Sequence, residues 1–170
     1  MADEMMEYLQ PYTVSFFGHR EIDHFIKAEE QIERIIRKLL NEHPYVEFLV
    51  GRDGEYDQIV SSAIRRIKAF CGAECICHTL VLPYPKAEYI NNIKSFEEYY
   101  DEIEICEASA AAHPKAAIQI RNRAMVDRSD LVVCCIEHNS GGAYQTVRYA
   151  GKQGKQIVNV MDFENDTEFE

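Results

Sequence analysis

The chain has 170 residues, 46% of them hydrophobic and 28% charged, so it can bury the core of one domain and does not read as disordered. Lys and Arg number 18 against 29 Asp and Glu, a formal net charge of −11, which argues against nucleic acid as a partner but leaves room for a small phosphorylated ligand at a local site. No apolar run approaches the roughly 18 residues of a membrane helix, so no membrane partner is expected.

The first ten residues are acidic and lack the basic and apolar regions of a signal peptide, which predicts a cytoplasmic protein. Residues 1–12 read as an N-terminal extension, 162–170 as an acidic tail, and the whole chain as a single domain. Six cysteines in a reducing compartment predict free thiols rather than disulfides, and Cys134-Cys135 sit within an apolar run as small buried hydrophobes. Cys71, Cys75 and Cys77 have no second Cys/His cluster at zinc spacing, so no metal is expected.

In chain order, Thr13 to Gly18 predicts a strand stopped by glycine, and Phe25 to Leu40 a helix with apolar residues at helical spacing. Tyr45 to Gly51 is a second strand, and Asp57 to Phe70 a second helix with Asp57 as its N-cap. Cys75 to Leu82 is a third strand, closed by Pro83 and Pro85. Residues 84–114 are the least regular stretch, rich in tyrosine and acids; they read as a lid or binding loop, or equally as a surface excursion packed down by its own aromatics, with a short strand near Ile103 to Cys106. Lys115 to Arg128 predicts a helix, Leu131 to Ile136 a strand buried on both faces, and Gly141-Gly142 opens a helix to Gln153 before a last strand, Gln156 to Met161. Strands alternating with helices predict an α/β fold, a three-layer Rossmann-like arrangement around a mostly parallel sheet.

Three glycine turns follow strands: Gly18, then Gly51 and Gly54, then Gly141-Gly142. In an open parallel sheet these turns share the carboxyl edge, where ligands bind and strand order reverses. Glycine permits close backbone approach, and a helix N-terminus after the turn suits phosphate. His19, Arg20, Arg52, Asp53, Asp57, Ser140 and Ala143 are interleaved with these glycines and join them as candidate ligand contacts. Gly51 to Gly54 and Ser140 to Ala143 are expected to give N–H groups to phosphates, and Asp53 or Asp57 to accept from a ribose hydroxyl. Of the arginines at 121 and 123, Arg121 is nearer the carboxyl edge if its helix runs antiparallel to the following strand, and a guanidinium there matches phosphate geometry. His78 alternates with apolar neighbours and reads as core. Neither a G-x-G-x-x-G nor a Walker sequence is present, nor a G-x-S-x-G elbow, so no nicotinamide cofactor, P-loop chemistry or acyl transfer is expected.

Gly18-His19-Arg20 resembles the "TGHR" turn of the SLOG superfamily, and Gly51-Arg52-Asp53-Gly54-Glu55-Tyr56-Asp57 its "GGAxGxD" turn. Arg121-Asn122-Arg123-Ala124-Met125-Val126-Asp127, Ser129-Asp130 and Gly141-Gly142 together resemble its "RNxxMVDxSD…GGT" block. The likeness runs from Thr13 to Val160 and is greatest to the YpsA-like branch of small bacterial proteins. It implies a Rossmann-like fold that binds a nucleotide or ADP-ribose-like ligand at these glycines, in a sensing or regulatory role, with Asn122 joining Arg121 at the site. The superfamily also includes DprA-type DNA-binding proteins and the "Lonely guy" phosphoribohydrolases, which cleave the N-glycosidic bond of nucleoside monophosphates. Their P-G-G-x-G-T-x-x-E motif departs here: Tyr144, Gln145 and Arg148 stand where the third glycine, the threonine and the glutamate would be. Position 52 is Arg rather than Gly, and 143 is Ala rather than Thr. By resemblance, then, binding is expected and hydrolysis is not, unless Asp53, Glu55 or Asp57 supplies the missing acid. The alternatives are a nucleotide N-glycosidase and a protein-interaction module with a vestigial crevice; a homo-oligomer is compatible with each.

Overall fold

A computed structural model of the chain describes residues 10–72 and 74–162. The expected acidic tail lies outside the described residues except for Asp162, and the expected N-terminal extension except for residues 10–12, of which Tyr12 already belongs to the first strand.

The elements follow in the order β1 (Tyr12–Gly18), α1 (Phe25–Glu42), β2 (Val46–Val50), α2 (Glu55–Cys71) and β3 (Ile76–Leu82). Then come α3 (Ala87–Ile90), α4 (Ile93–Tyr99), β4 (Glu102–Ile105) and α5 (Glu107–Ala110). The chain continues through α6 (Pro114–Asp127), β5 (Leu131–Cys135), α7 (Gly142–Lys152) and β6 (Gln156–Asn159). The strands form one sheet in the order β4-β3-β2-β1-β5-β6, and every neighbouring pair is parallel. This is the α/β Rossmann-like architecture expected. The chain steps outward from β1 to β4 and then returns to the other side of β1, so strand order reverses between β1 and β5. A crevice opens outside the carboxyl ends at such a reversal.

The sheet is buried on both faces: every residue of β3 and β5 is buried, including the polar His78 and Thr79 of β3. On one face α1 and α2 pack Ile32, Ile36, Val60 and Ile64 against Val14, Phe16, Phe48 and Leu80. On the other, Met125 and Val126 of α6 and Ala150 of α7 cover Phe17, Leu49, Val81 and Val132. His78 is buried, as its alternation with apolar neighbours implies, and its Nε2 lies 2.9 Å from Ser61 Oγ.

Two expectations are corrected. Residues 84–114 are not an irregular lid but follow the other reading, an excursion packed down by its own aromatics. They form three short helices and the edge strand β4, tied down by the buried Phe96 and Tyr100 and by Ser109, which donates to the Pro83 carbonyl. Asp57 does not cap α2 from outside: α2 begins two residues earlier, Gly54 holds the cap position, and Asp57 sits within the first turn.

Gly18, at the end of β1, is packed against the ring of the fully buried Tyr56, whose hydroxyl donates to the Val133 carbonyl at 2.9 Å. A Cβ on Gly18 would stand 2.3 Å from Tyr56 Cγ, and the ring has no free direction in which to retreat. Gly18→Ala should therefore lose more than the ~1–3 kcal/mol typical of overpacking. Tyr56→Phe, which removes only the hydroxyl, should lose about 1 kcal/mol. Urea unfolding of the two variants tests this, and Gly18→Ala as stable as the parent would refute the packing account.

Candidate functional site

A cleft of about 470 Å³ opens at the reversal point, over the carboxyl ends of β1 and β2. It brings together Gly18, His19, Arg20, Gly51, Asp53, Gly54, Asp57, Arg121, Asn122, Gly141, Gly142 and Ala143 from the sequence-based set. Arg52 and Ser140 are not in its wall. Arg52 turns the other way, its guanidinium 4.3 Å above the Phe96 ring and bonded to Glu88 and Tyr100. Ser140 is exposed, with its hydroxyl 3.1 Å from His138 Nδ1. Arg123 is also exposed, lying over Tyr149, so of the two arginines only Arg121 reaches the cleft.

Arg121 lies on the inner face of α6 and is 6% exposed. Its Nη1 donates to the Val81 carbonyl at 2.7 Å, and its Nε to Asn122 Oδ1 at 2.9 Å. Asn122 in turn donates to Thr146 Oγ1 at 3.1 Å, and Thr146 donates to the Gly142 carbonyl at 2.9 Å. Asp57 faces Arg121 across Gly51: a Cβ on Gly51 would stand 3.1 Å from Asp57 Oδ2 and 3.6 Å from both terminal nitrogens of Arg121. Enclosure in the cleft wall pushes the Asp57 carboxyl up to about 6, although the Arg121 charge and backbone hydrogen bonds pull it down. Burial likewise lowers Arg121, against the pull of Asp57 and Asp53.

The helix ends at the cleft differ. Asp57 Oδ2 accepts from the Asp53 N–H at 3.1 Å, and the Glu55 N–H donates to the Arg20 carbonyl at 2.9 Å. The Gly51–Gly54 turn thus directs N–H groups to the protein's own acceptors, contrary to the expectation that both glycine turns serve phosphate. The N-terminus of α7 has no side-chain cap, and Gly141 there adopts φ +93°, a conformation that favours glycine. The first N–H groups of a helix have no intrahelical partner and suit an anion.

His19 is the other open group. It is 8% exposed, its ring stacks on His138 at 3.7 Å, and its Nε2 is buried with no hydrogen-bond partner. Burial and the His138 ring hold His19 below its ordinary value, so it is neutral at pH 7. A buried polar atom without a partner is rare in a folded protein, and the residue that carries it lines the cleft. Sequence reasoning missed Lys115, Gln119 and the His19–His138 stack. Lys115 and Gln119 sit one turn apart on α6 in the cleft wall, a spacing the sequence does contain.

The remaining acids are engaged elsewhere. Glu55 Oε2 accepts from the Ile22 N–H at 2.8 Å, and Asp53 pairs with Lys86 at 2.7 Å. Arg148 is exposed beside Tyr144 and does not line the cleft. Among the described residues, no group of three or more His, Cys, Asp or Glu is placed to hold a metal, and no helix is long and apolar enough to cross a membrane.

No family model and no curated protein matches the chain. Solved structures do. The chain is similar to DNA processing protein A (DprA) from Streptococcus pneumoniae, with a TM-score of 0.59 and 18% identity over 95% of this chain and 56% of that one. It is similar to DNA processing protein A from Helicobacter pylori, described for its single-stranded DNA binding mode, with a TM-score of 0.60 and 18% identity over 95% and 75% of the two chains. A structural genomics target, TM1055, matches with a TM-score of 0.53 and 19% identity over 85% and 71%. The chain spans little more than half of the Streptococcus protein. At these identities the likeness shows the Rossmann-like fold, the one the SLOG resemblance implies. It also corrects the expectation of no nucleic-acid partner: this fold occurs in two DNA processing proteins, one of them described for its single-stranded DNA binding mode. The net charge of −11 is a global sum, whereas contact depends on the local surface.

Asp57 and His78 couple folding to pH in opposite senses. His78 is held down to about 4 from 6.5 by burial, so between those values the unfolded chain binds more protons and stability climbs with pH. Asp57 is raised from 3.8 to about 6, so in that window the folded chain binds more protons and stability drops as pH rises. Relative to the parent, Asp57→Asn should steepen the rise of Tm between about pH 4 and 6, and His78→Asn should flatten or reverse it. Parallel Tm profiles for all three proteins would refute these assignments.

Proposed function

We propose that the cleft binds the phosphate of a nucleotide or ADP-ribose-like ligand in a sensing or regulatory role, as the resemblance to the SLOG superfamily implies. The observation that carries this reading is His19, whose Nε2 is buried without a partner and whose Nδ1 lies 4.0 Å from where a Cβ on Gly141 would stand, next to the uncapped N-terminus of α7. Gly142 and Ala143 hold the phosphate by their backbone N–H groups. Lys115 and Arg20 stand at the cleft and add positive charge. Arg121 supplies positive potential from below, and His19 Nε2 meets a hydroxyl or phosphate oxygen. Asp57 accepts from a ribose hydroxyl.

Calorimetry with AMP tests the reading. Gly142→Val puts a branched side chain at the helix end, where its Cβ meets the terminal amide of the Gln119 side chain, 2.9 Å away. It should weaken AMP at least tenfold at unchanged Tm, and undiminished affinity would overturn the phosphate site. A short single-stranded oligonucleotide belongs in the same titration, because the structural neighbours include DNA processing proteins.

One observation favours a second reading, a nucleotide N-glycosidase. With Glu55 and Asp53 engaged and Arg148 turned away, Asp57 is left as the cleft's acid, and a carboxyl held at about 6 suits general acid catalysis near neutral pH. It predicts release of adenine from AMP that disappears in Asp57→Asn. No release by the parent over hours leaves the binding role standing alone.

A further inference from the structure

A second chamber, about 610 Å³, lies on the far side of the Gly51–Gly54 turn, between α2 and α4. It shares Gly51 and Asp57 with the first cleft, so the two meet at the end of β2. The chamber is built from the stretch that reads as an irregular loop in the sequence and from an arginine that replaces the expected glycine. Arg52 is fixed there on three sides. Its guanidinium lies on Phe96, its Nη1 donates to Tyr100 Oη at 3.0 Å, and its Nε and Nη2 reach Glu88 at 3.1 and 3.0 Å. The Tyr100 and Glu88 bonds hold Arg52 above its ordinary value against the effect of burial, so it is permanently charged.

We propose that this chamber is the second compartment of one site and takes the distal sugar or nucleoside of a pyrophosphate-linked ligand. The inference rests on the reading of the first cleft as a phosphate site. Gln58, Ser62, Asn92 and Ser95 line the chamber with neutral donors and acceptors, which match hydroxyl groups. Phe96 and Tyr100 add aromatic faces, which suit a sugar or base ring. Each compartment alone falls within the roughly 300–1,000 Å³ of a pocket that holds a drug-sized ligand, so a mononucleotide fills one and leaves the other open. A pyrophosphate spans the shared wall: one phosphate meets the α7 terminus and the other comes toward Arg52, whose guanidinium has five N–H groups and gives three of its nitrogens to Glu88 and Tyr100 with N–H groups to spare.

Calorimetry of the intact chain with AMP, ADP-ribose and NAD tests this. ADP-ribose and NAD should bind at least tenfold more tightly than AMP, and the better of the two identifies the second half as a sugar or a nucleoside. Ser62→Trp places an indole in the chamber from an exposed position on α2, and Arg52→Ala removes the fixed cation. Both should bring ADP-ribose and NAD to the affinity of AMP while AMP itself is unchanged. AMP as tight as the two-headed ligands, or a preference that survives Ser62→Trp, overturns the second compartment and leaves the first intact. Failure of all three ligands to bind overturns the phosphate cleft, and the second compartment with it.

Discussion

A guanidinium buried below the ends of three strands must be answered by partners, because leaving such a charge unpaired is strongly destabilising. The partners of Arg121 organise the carboxyl edge of the sheet. One is the Val81 carbonyl at the end of β3, another is Asn122 beside it on α6, and the Asp57 carboxyl of α2 faces it across Gly51. Asn122 passes the constraint on through Thr146 to the Gly142 carbonyl, where α7 begins. Two helix termini and a strand end are thus held relative to one side chain. The chain of hydrogen bonds sets the Gly141-Gly142 turn facing the cleft rather than leaving it free to drift, and preorganisation of that kind is what lets a few backbone N–H groups hold an anion.

Much of what looks like a ligand motif is scaffold. Gly18 is required by Tyr56, which leaves no space for a Cβ. Ser129 donates to the Met125 carbonyl, and Asp130 exchanges hydrogen bonds with the backbone of Thr13, so this pair ties the end of α6 to β1. Glu55 latches the loop after β1 through the Ile22 N–H. Asn122 lines the cleft yet spends both ends of its amide on Arg121 and Thr146. On the proposed reading the groups that meet a ligand are fewer: His19, Lys115, Arg20, Arg121, Asp57 and the backbone at the start of α7.

The alternation of strands and helices was legible in the sequence because α1 and α2 carry clear apolar stripes and the strands are short apolar-rich runs, several of them stopped by glycine or proline. The position of the cleft was legible too, since parallel topology puts every strand-to-helix turn at one edge. What escaped depends on contacts distant in sequence. The helices α3 and α5 have four residues each, too short for periodicity to show, and are held by tertiary packing. Arg52 leaves the cleft because Phe96 and Tyr100, more than forty residues on, offer it a face and a hydroxyl. His19 and His138 stack across the switch point, a pairing that no local pattern signals. The net charge misled for another reason, since it averages over surfaces that a ligand never touches.

The two helix termini at the cleft embody different solutions to the same electrostatic problem. At α2 the protein supplies its own anion: Asp57 sits in the first turn, accepts from the Asp53 N–H and faces a guanidinium. That anion is incomplete, because enclosure keeps its carboxyl near 6, so it changes charge close to neutral pH. At α7 the protein supplies none, and the turn opens on a glycine at positive φ. On the proposed reading, a phosphate at α7 would bring negative charge toward Asp57 and raise that carboxyl further. The Arg121 charge that Asp57 answers in the empty cleft would then be met by the bound anion as well, so the same buried guanidinium would serve the empty and the occupied cleft.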